Sequence, residues 1–391
     1  MFFNSSIFVL FLSLAVGIYW MLPHRLRALA LTIFGCLFYA YYSITYLLLI
    51  AGLGIFTFIV GWHLRKKGTQ RLAAFGITVL VLTLVGFKYL TLVISTVSEL
   101  FGHASLWNIS IALPLGISFF TFEFIHYIAD IYRGKIGNHN FLTFLSFTFF
   151  FPTLVSGPIK RFETFESSLQ EKQFLPAMFW TGCITILLGY SQKYLIADML
   201  VPFTTALSAP QTIPTQTFAI AGIVCYAIRI YADFLGMSNI AIGSALLFGI
   251  TVPKNFHAPY LSSDIALFWR RWHMSLSSWV RDYLYIPLGG NRVGRMREYA
   301  NVFIVMTIVG LWHGASWNFA IWGLWHGIGL AFHRLWRDLR PEHAIFETRF
   351  AKLCGCFLTC AFVTIGWTFF VTTSLEDSFH LLSIIFFGTH V

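Results

Sequence analysis

Apolar runs recur from one end of this chain to the other, and no long polar stretch separates them. A helix needs about 20 apolar residues to cross a bilayer. Candidate runs are residues 6–22, 28–42, 46–62, 72–87, 111–131, 141–151, 179–196, 217–234, 301–312, 318–335, 352–371 and 379–387. Several are too short to cross alone. Some helices must therefore be re-entrant or sheltered within protein, because lipid cannot satisfy bare backbone groups. Charged residues are only 11% of the chain, against about a quarter in soluble domains. The expected fold class is an all-α polytopic membrane protein.

The formal charge of +10 does not indicate nucleic acid, because the basic residues are scattered at segment ends, where membrane topology places them. Arg25 and Arg27 lie in one early loop, and Arg65, Lys66, Lys67 and Arg71 in another, with an uncharged turn at 42–45 between them. Basic loops belong on the cytoplasmic side, which puts the N-terminus outside. The start lacks a signal-peptide layout, so 6–22 reads as a retained first span. Cys354, Cys356 and Cys360 resemble a soft-metal cluster, but all three fall in one run without a partner cluster. With Cys36, Cys183 and Cys225 they read as buried small hydrophobes, and no metal site is expected.

Two stretches break the span pattern. Residues 151–162 carry two prolines and a glycine between apolar runs, a backbone that must line a cavity or an interface. Residues 262–292 place Ile265, Phe268, Trp269, Trp272, Leu276, Trp279 and Val280 at helical spacing. Arg270, His273, Ser277 and Arg281 form a polar stripe along the same helix. Ser262 or Ser263 with Asp264 offers its N-terminal cap, and 288–292 reads as a turn. The expectation is one helix lying along or dipping into the membrane.

Ionisable groups at membrane depth are costly and invite functional readings. Glu123, His126 and Asp130 share a helix face, as do Arg229 and Asp233. Internal pairing accounts for Arg229 and Asp233; for the first trio, pairing and a polar channel both stay open. The pentapeptide Gly310-Leu311-Trp312-His313-Gly314 reappears thirteen residues on as Gly323-Leu324-Trp325-His326-Gly327. On one unbroken helix that offset is roughly 220°, so the two imidazoles are not expected to be neighbours in one small site. One catalytic and one structural role are expected. His313 is followed by Gly314, Ala315 and Ser316, with the amide of Asn318 nearby. A neutral imidazole there could accept a proton from a hydroxyl nucleophile, or simply bond a backbone carbonyl. His273 closes the run Trp269-Arg270-Arg271-Trp272-His273, whose arginines suit phosphate, carboxylate or lipid headgroups. Trp322 and Trp325 beside His326 favour a packed, structural ring. There is no G-x-S-x-G elbow, H-E-x-x-H helix, Walker loop or G-x-G-x-x-G fingerprint.

These residues carry a family resemblance. The blocks are 4–23, Leu115-Gly116-Ile117-Ser118-Phe119-Phe120, 151–162, Tyr231-Ala232-Asp233-Phe234, Asn255-Phe256, 268–277, Arg281-Asp282-Tyr283, 288–292 and Leu311-Trp312-His313-Gly314. In that order they resemble the membrane-bound O-acyltransferases (MBOAT), in the bacterial branch of alginate O-acetyltransferases and teichoic-acid D-alanyl transfer proteins. The resemblance covers nearly the whole chain. It implies about eleven transmembrane helices, with re-entrant or interfacial ones, around a central funnel and tunnel. It also implies one domain over residues 1–391: N-terminal helices 1–110, an MBOAT core 111–336 and C-terminal helices 337–391. The family's essential histidine falls on His313 and its second polar residue on His273, the expected catalytic pair. Trp269, Arg270, Arg271, Asn318 and His326 are expected to bind substrate.

The implied activity is transfer of a small acyl group, acetyl as first choice, from a cytoplasmic thioester to a hydroxyl of a cell-envelope or secreted polysaccharide. The donor would be acetyl-CoA or an acyl carrier protein, with no tightly bound cofactor. An extracytoplasmic transferase is the implied partner, and the bacterial inner membrane the implied location. The chain stops soon after Gly366-Trp367-Thr368-Phe369-Phe370, where acetylating relatives continue, so D-alanyl transfer from a carrier protein toward teichoic acid stays open. A transporter or flippase, and an export scaffold, are the alternatives outside the family.

Overall fold

The computed structural model describes residues 5–101, 112–170, 173–339 and 348–388, so Asn4 and Ile111 lie outside the described residues. Among the described residues there are helices and no β-strands. The chain groups into two compact units: Met1–Tyr190 with Met237–Lys254, and Ser191–Gly236 with Asn255–Val391.

The first unit opens with α1 (Ser6–Met21), α2 (His24–Ala40), α3 (Ile44–Lys66) and α4 (Gln70–Leu100). Ser5 and Ser43 cap α1 and α3, accepting hydrogen bonds from Phe8 and Tyr46 N–H, each worth about 1 kcal/mol. Arg27, expected in a basic loop, lies instead in the first turn of α2, buried and 4.5 Å over the Trp20 ring. α3 and residues 70–98 of α4 are long and apolar enough to cross a membrane, and few residues of that α4 stretch are fully buried. Next come α5 (Ile117–Tyr132), α6 (Phe141–Thr148), α7 (Phe162–Leu169) and α8 (Pro176–Ser191). The apolar run 141–151 thus yields an eight-residue helix, too short to span.

The irregular stretch after α6 is held from inside. Gly157 sits at φ 113°, and a Cβ there would come within 2.6 Å of the Ala241 methyl. Lys160 Nζ lies 2.7 Å from both carboxylate oxygens of Glu123, with both side chains all but fully buried. His126 Nε2 accepts a hydrogen bond from Phe162 N–H at 3.2 Å. Asp130 meets Lys135 at 3.4 Å and Arg133 at 3.6 Å. The polar face of α5 is therefore a set of ties to the segments that follow it, which decides between the two readings of that trio.

In the second unit a π-helical turn, Gln192–Ala197, leads to α9 (Val201–Thr204) and then α10 (Gln216–Leu247), a 32-residue helix that runs on from this unit into the first. Arg229 and Asp233 find partners on a neighbouring segment, the internal pairing expected of them. Asp233 takes Lys193 at 2.7 Å, Lys193 also takes Asp198 at 2.7 Å, and Arg229 donates to the Thr204 hydroxyl.

The remaining elements are α11 (Ile265–Arg271), α12 (Met274–Val280), a π-helical turn Arg281–Tyr285, α13 (Arg295–His313), α14 (Trp317–Leu339), α15 (Arg349–Gly366), α16 (Thr368–Val371) and α17 (Leu375–Phe387). α10 and residues 349–371 are also long and apolar enough to cross. The cysteines are half-buried, and Cys354 is exposed, so they are not the buried hydrophobes expected. A lipid-facing position tolerates them equally well. α13 and α14 form a hairpin of unusual closeness: a Cβ on Gly310 would overlap the Phe319 carbonyl, and one on Gly323 the Met306 carbonyl. The two first glycines of the repeated pentapeptide face each other at this crossing.

Candidate active site

The single helix expected through Ile265–Arg281 is broken at its most interesting residue. Asp264 caps α11 as expected, its carboxylate accepting from Leu267 N–H at 2.7 Å. The helix then ends, His273 takes the left-handed conformation at φ 43°, and α12 restarts at Met274. Apolar periodicity persists across the break, so spacing alone did not reveal it. Asn255 holds the corner: its carbonyl accepts from Met274 N–H at 2.8 Å and its side chain from the Ser275 hydroxyl at 2.6 Å. A left-handed non-glycine residue costs about 1–2 kcal/mol, the kind of strain that clusters at functional positions.

The break separates the supposed polar stripe. Arg270 is exposed, Arg271 donates to the Leu261 carbonyl at 3.1 Å, and His273 is turned inward and 1% exposed. The His273 ring meets Phe234 at 4.6 Å and Trp312 at 6.0 Å, and neither ring nitrogen has a hydrogen-bond partner among the described residues. Burial pushes its pKa down to about 3, so it is neutral at pH 7.

His313 is the last residue of α13 and is half-buried. Three rings surround it: Trp312 at 4.8 Å, Trp322 at 5.1 Å and Phe370 at 5.2 Å. His326 is fully buried on α14, 4.8 Å from the same Trp322 and 5.1 Å from Trp269, with no partner for either ring nitrogen among the described residues. The two repeat histidines therefore belong to one aromatic cluster, separated by the Trp322 indole. The two rings are not direct neighbours; the chain folds back at 314–316, so they sit on different helices on either side of Trp322.

Asn318 is buried, and its amide nitrogen is engaged by Thr372 and Ser374 carbonyls at 3.2 and 3.0 Å and by the Ser378 hydroxyl at 3.2 Å. It ties α14 to α17. Beside the cluster lies a cavity of about 170 Å³, walled by Trp269, Leu276, Val280, Val305 and Met306. Its polar end holds Ser277, Arg281, Tyr285 and Arg334, where Arg334 pairs with Glu298 at 2.6 Å and donates to the Tyr285 hydroxyl at 3.0 Å. An apolar cavity of about 150 Å³ accommodates benzene, so this one suits a small apolar group. Neither His273 nor His313 lines it.

The structure thus brings together His313, His326, His273 and Trp269, and leaves Arg270, Arg271 and Asn318 outside that cluster. Trp322 and Phe370 were not singled out from the sequence as site residues. Their aromatic spacing gives no hint that one indole would stand between two histidines.

A half-accessible imidazole thus stands at the end of α13, walled by aromatic rings in an apolar setting. The model of the MBOAT, membrane-bound O-acyltransferase family matches residues 84–376. The chain belongs to this family, and it is an acyltransferase. It is similar to the probable alginate O-acetylase AlgI of Pseudomonas aeruginosa, 37% identical over 400 residues, covering 100% of this chain and 76% of the relative. It is also similar to the peptidoglycan O-acetyltransferase of Helicobacter pylori, at 32% identity covering 97% of this chain and 79% of the relative. The teichoic acid D-alanyltransferase of Streptococcus thermophilus is 33% identical over 66% of this chain and 68% of its own length.

Proposed function

We propose that the protein transfers an acetyl group from a cytoplasmic thioester toward a hydroxyl of an envelope or secreted polysaccharide. The observation that carries this reading is the extent of similarity: acetylating relatives match 96–100% of the chain, whereas the D-alanyl-transferring ones match 66%. That shorter match keeps D-alanyl transfer from a carrier protein as the second reading. About eleven transmembrane helices around a funnel and tunnel, a bacterial inner-membrane location and an outside N-terminus belong to the proposal.

In this reading His313 is the general base. Its neutral imidazole accepts the proton of the acceptor hydroxyl while that oxygen attacks the thioester carbonyl carbon. The C–S bond breaks, and the departing thiolate takes the proton from the imidazolium. An ester and a free thiol result. His273 shapes the passage from the strained corner between α11 and α12. Trp269 and His326, with Arg270 and Arg271 nearer the surface, orient the donor, which is acetyl-CoA or an acyl carrier protein, while Asn318, expected to bind substrate, braces α14 against α17. An extracytoplasmic transferase completes delivery to the polymer.

The test offers the purified protein labelled acetyl-CoA and a labelled D-alanyl carrier side by side. Acetyl transfer is expected; labelling only from the carrier overturns the acyl assignment. His313→Ala should abolish transfer in protein that still inserts and folds. Undiminished transfer would overturn the catalytic role of His313.

A further inference from the structure

The rings around His313 have a consequence for its chemistry. Trp312, Trp322 and Phe370 stand at 69°, 86° and 71° to the imidazole plane, all with centroids within 5.2 Å. The box is itself braced. Trp322 is fully buried and stacks on Trp367 at 5.8 Å and 23°, and Phe319 meets Phe370 at 4.9 Å. The Trp322 Nε1–H has no hydrogen-bond partner among the described residues, so this indole is held by ring packing alone. Behind the box stand two further imidazoles, His326 against Trp322 and His273 against Trp312.

We propose that Trp312, Trp322 and Phe370 form an aromatic box that stabilises the imidazolium of His313 during acyl transfer, making them positioning residues for the reaction. The inference rests on the reading of His313 as the base. A neutral imidazole becomes a cation when it takes the hydroxyl proton, and that cation forms in a setting of low polarity. An aromatic face attracts a cation within about 6 Å of its centroid, and more strongly where water is excluded. A neutral ring receives little of this attraction, so the box favours the transition state over the ground state and acts on turnover. Perpendicular rings also fix the imidazole plane, which keeps one nitrogen aimed at the acceptor.

The experiment replaces Phe370 site-specifically with mono-, di- and trifluorophenylalanine, and Trp322 with a fluorotryptophan. Fluorine drains the ring face of negative charge with little change in volume, so folding is preserved where Trp322→Ala would not fold. His313→Gln is measured alongside. The proposal expects an inactive His313→Gln and a graded fall in kcat along the fluorine series, reaching roughly two- to thirtyfold, with KM unchanged. Phe370→Leu, which keeps the apolar bulk and removes the π face, should fall into the same range. If His313→Gln is inactive but turnover stays flat or rises along the series, the box is overturned and the base assignment stands. If His313→Gln stays active, the base assignment fails and the box with it.

Discussion

Lys160→Met should be among the most damaging single changes in the first unit. The ammonium lies 2.7 Å from both oxygens of Glu123, and the two side chains are 2% and 3% exposed. Removing the lysine leaves a carboxylate with neither water nor a counter-ion. Breaking such a buried pair costs about 3–5 kcal/mol, or roughly two to three and a half powers of ten in the unfolding equilibrium. Removing both charges avoids that penalty, so Glu123→Leu combined with Lys160→Met should return to within about 1 kcal/mol of the starting protein. The assay is a double-mutant cycle of unfolding in detergent, followed by intrinsic tryptophan fluorescence, with acyl transfer measured per folded molecule. The reasoning is refuted if the single change costs under about 1 kcal/mol, or if the double change costs the sum of the singles. It is refuted in another way if stability holds while turnover collapses. That is the signature of a polar channel rather than a tie between α5 and the loop.

Gly323→Val should force α13 and α14 apart at the Met306 carbonyl and lose more stability than Gly17→Val on α1, where a Cβ meets nothing within 4 Å; parallel thermal melts compare them. Asn318→Leu should strip Thr372, Ser374 and Ser378 of their shared donor and loosen α17, costing about 1–3 kcal/mol and raising protease cleavage near residues 372–378. Burial first, and then the neighbouring Arg65 charge, lower His139 to about 4, so the unfolded chain binds more protons there. Stability should therefore fall as pH drops from about 6.5 toward 4, and His139→Asn should flatten that part of the profile.

The helices were legible because an apolar stretch near bilayer length has few alternatives, and α1 to α3 and α13 to α15 lie where the runs lie. What periodicity conceals is a local change of backbone. The pattern through Phe268, Trp272 and Leu276 reads as one helix, yet His273 turns the chain inside it. Spacing also leaves partners unnamed. Arg229 and Asp233 sit one helical turn apart, but Lys193 and Thr204 reach them from a neighbouring segment. At the site, the histidines and Trp269 were visible as costly residues in an apolar context. The bracing of His313 by Trp322 and Phe370 was not, since it depends on how the hairpin brings α14 and α16 beside the end of α13.

Main chain touches main chain where Gly310 meets Gly323, and no side-chain padding is left there to compress or slide. The two helices consequently behave as one stiff strut with the His313 imidazole at its tip. Of the three rings around that imidazole, Trp312 and Trp322 belong to the strut, and Phe370 comes from a separate short helix.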